Sequence, residues 1–142
     1  MTPPKILKYI YDYLVGLDIG DVFQDRKPYD DTSKQRAKRT YIVYTFPNGI
    51  DDMGPFYHGV CTVQIGCRDQ AHFVADMTSL IAATDVLHKS LSNDIVDETN
   101  GIQMIDLNQD DFYSDDMGNH EFLYSFDVFA NKREEDIVNK NQ

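Results

Sequence analysis

Residues 39–91 decide the fold: RTYIVYTFPNG (39–49) and GPFYHGVCTVQIGCRD (54–69) run into QAHFVADMTSLIAATDVLHKSL (70–91). The first two segments alternate with period 2 and are rich in Tyr, Val, Ile and Thr, which predicts strands over Thr40–Phe46 and Phe56–Arg68. Pro47-Asn48-Gly49 is turn chemistry, and Asp51–Pro55 extends it, so the two strands pair back as a wide antiparallel hairpin. In the third segment Phe73, Met77, Leu80, Thr84, Leu87 and Leu91 recur at helical spacing, with Val74 and Ile81 widening the stripe. Asp69 is the expected N-cap of that long helix. Val63, Ile65, Met77, Leu80 and Ile81 are the expected core where helix crosses sheet.

Outward from this centre the pattern continues. Thr2-Pro3-Pro4 opens a helix whose stripe is Ile6, Ile10, Tyr13 and Leu17, closed near Gly16 and Gly20. A weak strand is expected around Asp21–Gln24, and the polar run 28–38 reads as a loop. Beyond the central helix, Asn100-Gly101 turns into a strand at Ile102–Leu107. An acidic loop over 108–119 and a last strand at His120–Phe129 follow. The expectation is a single α+β domain over 1–130: an antiparallel sheet of four to five strands with an N-terminal helix and one long central helix on one face. Residues 131–142 are polar and read as a flexible tail.

Composition narrows function. At 142 residues the chain is long enough for one proper core. No run of about 18 apolar residues exists, so no membrane span is expected. Ile6–Val15, interrupted by Lys8 and Asp12, makes a poor signal sequence. Cys61 and Cys67 share one strand face some six residues, about 20 Å, apart, too far for a mutual disulfide, which suits a reducing compartment. Net charge is −11, and it is segregated. No Lys or Arg occurs from 90 to 131, a stretch with ten acids, while Arg26, Lys27, Lys34, Arg36, Lys38 and Arg39 crowd the other end. Broad nucleic-acid binding is excluded by that acidity, because phosphate contact depends on positive charge.

Chemical motifs are weak. Asp106, Asn108 and Asp110 start like a calcium loop, but Asp111 stands where Gly is needed and Met117 where a bidentate Glu is needed. His58, Cys61, Cys67 and His72 have zinc-ligand chemistry without convergent spacing, since His58 falls on the opposite strand face. There is no nucleophile elbow and no phosphate-binding glycine loop. The expectation is a protein that is not an enzyme, with no catalytic residues, cofactor or metal.

One resemblance covers residues 5–130. The short N-terminal helix followed by GDVFQDRKP (20–28), then YIVYTFPNG (41–49), the helix after VQIGCRD (63–69) and a final strand pair around an acidic segment resemble the tail terminator and tail-completion proteins of tailed bacteriophages. The chain departs from that pattern in a longer, more basic loop at 28–38 and a more acidic final hairpin. The resemblance implies a viral structural protein of the virion, made in the host cytoplasm, that forms a homo-oligomeric ring at the head–tail junction or tail end. Rings of about six subunits, or a multiple of that symmetry, would contact neighbouring connector or tail proteins while DNA passes without specific binding. On this reading Lys34, Arg36, Lys38 and Arg39 dock one subunit to the next or to an adjacent ring. Asp110, Asp111, Asp115 and Asp116 face that basic loop or the DNA channel. The alternative is a small acidic intracellular adaptor, or a nucleic-acid mimic, presenting the same acidic surface to a basic partner.

Overall fold

In the computed structural model, residues 1–26 and 39–132 are described. The fold is α+β, with two helices and one curled mixed sheet. Helix α1 (Pro3–Gly16) starts behind Thr2 with Pro at its first two positions, where the missing N–H groups cost nothing. Its buried stripe is Ile6, Ile10 and Leu14, with Tyr13 and Leu17 only partly covered. Asp18, in the left-handed region at φ 54°, donates its N–H to the Val15 carbonyl and ends the helix.

Four strands form the first half of the sheet: β1 (Asp21–Gln24), β2 (Thr40–Thr45), β3 (Asp51–Asp52) and β4 (Phe56–Arg68). After helix α2 (Met77–Leu91) come β5 (Ile95–Asp97), β6 (Ile102–Ser114) and β7 (Asn119–Asn131). The order is β1-β2-β4-β7-β6-β5, with β3 also on β4. Only β1 and β2 run parallel, which makes the sheet mixed rather than purely antiparallel. Seven strands replace the expected four to five, because β3 and β5 are too short to announce themselves by alternation.

Register explains the core. Ile42 pairs with Ile65 and Tyr44 with Val63. Cys61 pairs with Phe126, Val63 with Tyr124, and Met104 with Val128, so all lie on one face. That face joins Ile6, Ile10 and Leu14 of α1 and Ala83, Leu87 and Leu91 of α2 in one hydrophobic core.

Three expectations are corrected here. Helix α2 does not begin after Asp69: Phe73 sits at φ 56° and Asp76 is the N-cap, accepting from the Ser79 N–H (3.1 Å) and hydroxyl (2.8 Å). The buried stripe keeps the expected Leu80, Thr84, Leu87 and Leu91 but is shorter and narrower than expected: Met77 (41% exposed) and Ile81 (52%) face outward, and Phe73, ahead of the helix, is exposed. The acidic segment 108–119 is mostly strand. Strand β6 continues through Ser114 with bulges between Ile105 and Asn108 and between Gln109 and Asp111, leaving only a tight turn at 115–118. Such bulges increase local twist and account for the curl.

The expected tail also starts later. Asn131 ends β7, and Lys132 is buried, its Nζ 2.5 Å from Asp52 Oδ1 and 5.0 Å from the Tyr57 ring centroid. Residues 133–142, the rest of that tail, lie outside the described residues.

Candidate functional site

Of the predicted basic cluster, only Arg39 falls among the described residues. Lys34, Arg36 and Lys38 lie outside the described residues. Arg39, just before β2, is exposed, yet its guanidinium works within the chain. It donates to the Arg68 carbonyl at 2.8 Å and sits 3.3 Å from Asp76, tying the start of β2 to the end of β4 and the cap of α2. Hydrogen bonds from Ser79, reinforced by Arg39, hold the Asp76 carboxyl below its ordinary range.

Asp110 and Asp111 are exposed on the far half of β6, and Asp116 is exposed in the turn at φ 61°. Asp115 instead builds the turn, accepting from the N–H groups of Met117 (2.8 Å) and Asn119 (3.0 Å) and from the Asn119 side chain (2.8 Å). Gly118, at φ 89°, closes it. Strand β5 pairs only with Ile102–Met104, so among the described residues the outer edge of β6 from Ile105 onward has no partner strand. That edge carries Asp106, Asp110 and Asp111 in a stretch without any basic residue.

Where β4 leaves the sheet, the chain makes contacts that sequence spacing did not announce. Asp69, expected as a helix cap, bonds instead to His120 at the start of the paired strand β7, Oδ1 to Nδ1 at 2.6 Å. Its N–H donates to the Gly118 carbonyl at 2.8 Å. Arg68, Asp69, Ala71, His72, Phe73 and the 116–118 turn enclose a surface recess of about 430 Å³. Arg39 and Asp116 therefore border the same segment, one through the Arg68 carbonyl and the other through the recess. Nothing in the local sequence couples residue 69 to residue 120; only the β4–β7 register does.

The back of the sheet holds a second polar group. Tyr41, Gln64, Tyr113 and Glu121 cluster there, with Gln64 Nε2 donating to the Tyr113 hydroxyl at 2.5 Å. Tyr41 lies over Gly66, where an added Cβ would come within 2.3 Å of its ring, so only glycine fits. His58 and Asp127 form a separate half-exposed pair at 2.9 Å, with the imidazole stacked on Phe129. Cys61 and Cys67 are free and buried, and burial pushes the Cys61 thiol far above its ordinary range. Among the described residues no three of His, Cys, Asp and Glu gather into a metal-holding group, and no helix is long and apolar enough to cross a membrane.

No protein-family model matches the chain, and no curated protein sequence matches it significantly. The functional reading is therefore carried by the chain's own residues.

Proposed function

We propose that this protein is a structural subunit of a tailed-bacteriophage particle, forming a ring at the head–tail junction or tail end through which DNA passes. The observation that carries the reading is the separation of charge. An acidic sheet edge at Asp106, Asp110 and Asp111, without a partner strand among the described residues, stands on a chain whose basic residues are concentrated at 26–39. A head-to-tail ring needs two different, complementary surfaces on every subunit. A conduit for DNA works best with walls that repel phosphate, so that the polyanion slides without sticking. The curled sheet backed by two helices gives a rigid body that carries the acidic edge.

Light scattering and negative-stain imaging across protein concentration, at low and high ionic strength, test this. The expected result is closed rings of about six subunits, or a multiple, that loosen as salt screens the contacts. Replacing Lys34, Arg36 and Lys38 together with Glu, while keeping Arg39 for its bonds within the chain, should leave a folded monomer. Adding a second protein carrying Asp110→Lys and Asp111→Lys should restore association. A triple variant that still closes rings would remove the basic segment from the interface. Flanking genes for portal, capsid or tail components would support the class, and their absence would favour an adaptor.

A further inference from the structure

We propose that the recess between residues 68–73 and the 116–118 turn is a receptor for an arginine side chain presented by a partner polypeptide. The inference is independent of the ring reading, because it concerns what the pocket recognises rather than what the partner is.

The first observation is Asp69. Its side chain is only 4% exposed, and its Oδ1 is taken by His120 at 2.6 Å. Its Oδ2 is buried and, among the described residues, has no hydrogen-bond partner. A buried carboxylate oxygen without a donor is costly, and folded proteins rarely leave one so. Arg68 lines the same recess without reaching that oxygen. The fixed charges of the lining are Asp69 and Asp116 against Arg68, a sum of one negative charge, which a single cation balances.

The second observation is the mouth. Phe73 (54% exposed) and Met117 (44% exposed) flank the recess, and Phe73 is held at φ 56°. A bulky aromatic in the left-handed region is strained, and such strain is kept where surrounding structure holds a side chain in place. Here it keeps a half-exposed aromatic ring, 4.1 Å from the His72 ring, on the lining that also holds the buried acceptor. That combination suits a guanidinium, which stacks on aromatic and thioether surfaces while its N–H groups seek a carboxylate. A recess of about 430 Å³ accommodates one long side chain. Because Oδ2 exposes less than 1 Å², the incoming group reaches it only as the lining of the recess shifts, so the lining residues Phe73 and Met117 should report on binding.

N-acetyl-arginine-methylamide titrated into the ¹⁵N-labelled protein tests the proposal. Saturable shifts at millimolar probe, centred on the amides of Asp69, Phe73, Met117, Gly118 and His120, are expected. The uncharged citrulline analogue should produce at least tenfold weaker shifts, and Asp69→Asn should abolish the response. Should Asp69→Asn fail to fold, the arginine-to-citrulline ratio in the unaltered protein still decides, together with a several-fold loss in Phe73→Ala. Equal shifts from both analogues, no saturation, or shifts mapping to Asp106–Asp111 instead would overturn the assignment.

Discussion

The Tyr41 hydroxyl donates a 2.8 Å hydrogen bond to the Glu121 carboxylate, joining β2 to β7 across the intervening strand β4 on the back of the sheet. Both residues are buried, and the Glu121 charge also holds the neighbouring Tyr113 phenol above its ordinary range, after the larger effect of burial. Tyr41→Phe should destabilise the fold by about 1.5–3 kcal/mol, the range for a hydrogen bond to a charged group. Pairing it with Glu121→Leu should cost less than the sum of the two single changes, since the second change removes the carboxylate that the first leaves short of a donor. Chemical denaturation of the three variants measures this, and strict additivity would show that the two side chains are not coupled.

Adjacent positions on α2 should behave oppositely. Leu80 is fully buried whereas Ile81 is half exposed. Leu80→Ala should cost about 2–5 kcal/mol through lost burial and a cavity. Ile81→Ala should stay within about 0.5 kcal/mol, as surface changes do. Thermal melts giving comparable losses at both positions would mean that the helix packs on a different face.

That contrast shows what the sequence could convey. Strand β4 was readable to its ends because Cys61, Val63 and Ile65 alternate with polar neighbours and Asp69 breaks the pattern. Helix α2 was readable in kind but not in extent: the apolar spacing of Phe73 and Met77 continues it backwards, while the Asp76–Ser79 cap, a local hydrogen bond, stops it. The acidic segment looked like a loop because solvent-facing edge residues need no apolar alternation, so β6 carries Asp110 and Asp111 where a central strand would carry Val or Ile. The Asp69–His120 recess was invisible for a different reason. It is made by a long-range register, and no one-dimensional spacing encodes the proximity of residues 69 and 120.

The cap at Asp76 makes a prediction for acid. Its folded-state pKa is depressed below the ordinary 3.8, chiefly by the Ser79 hydrogen bonds. A depressed carboxylate stabilises above its unfolded pKa, and that contribution disappears as pH falls through the folded value. Asp76→Ala should lower Tm by about 2–6 °C at neutral pH. The gap between variant and parent should close below pH 3.8. A gap that persists into strong acid would mean that the carboxylate's charge plays no part.

Alkali acts with the opposite sign. Burial pushes the phenols of Tyr9 and Tyr44 up to about 12, with Asp97 adding to the effect at Tyr9, and burial also raises Tyr13, Tyr113 and Tyr124. A group whose folded pKa is raised contributes stability that is fully present below its unfolded value of about 10 and is lost as pH climbs through the folded one. Stability should therefore hold to about pH 10 and fall steeply towards 12. Absorbance at 295 nm should show these phenols ionising together with the loss of ellipticity. Smooth ionisation near pH 10 with the fold intact would place them in water.

The last prediction concerns the edge of β6 that has no partner strand among the described residues. An unpaired strand offers a row of backbone donors and acceptors to any other chain, and natural edges are guarded by charge and by bulges. Both guards are present here: Asp106 (φ 59°) and the irregularity at Gln109–Asp111 break the register, and Asp106, Asp110 and Asp111 place like charges along the strand. The Asp111 carboxylate also caps the Phe112 N–H at 2.7 Å, and Asp94 caps the Asp106 N–H at 3.1 Å, so neither donor is open to a neighbour. Replacing Asp110 and Asp111 with Val removes the charge, frees the Phe112 donor and raises β-propensity in one step. The variant should keep its far-ultraviolet spectrum, because neither side chain is buried. It should nevertheless self-associate without closing, giving scattering that grows with time and concentration and binding thioflavin T. Replacing the same residues with Lys keeps a charged edge and should leave the protein free of such aggregates. If the Val variant stays as dispersed as the parent at the highest soluble concentration, the bulges alone protect the edge and the acidic side chains serve only recognition.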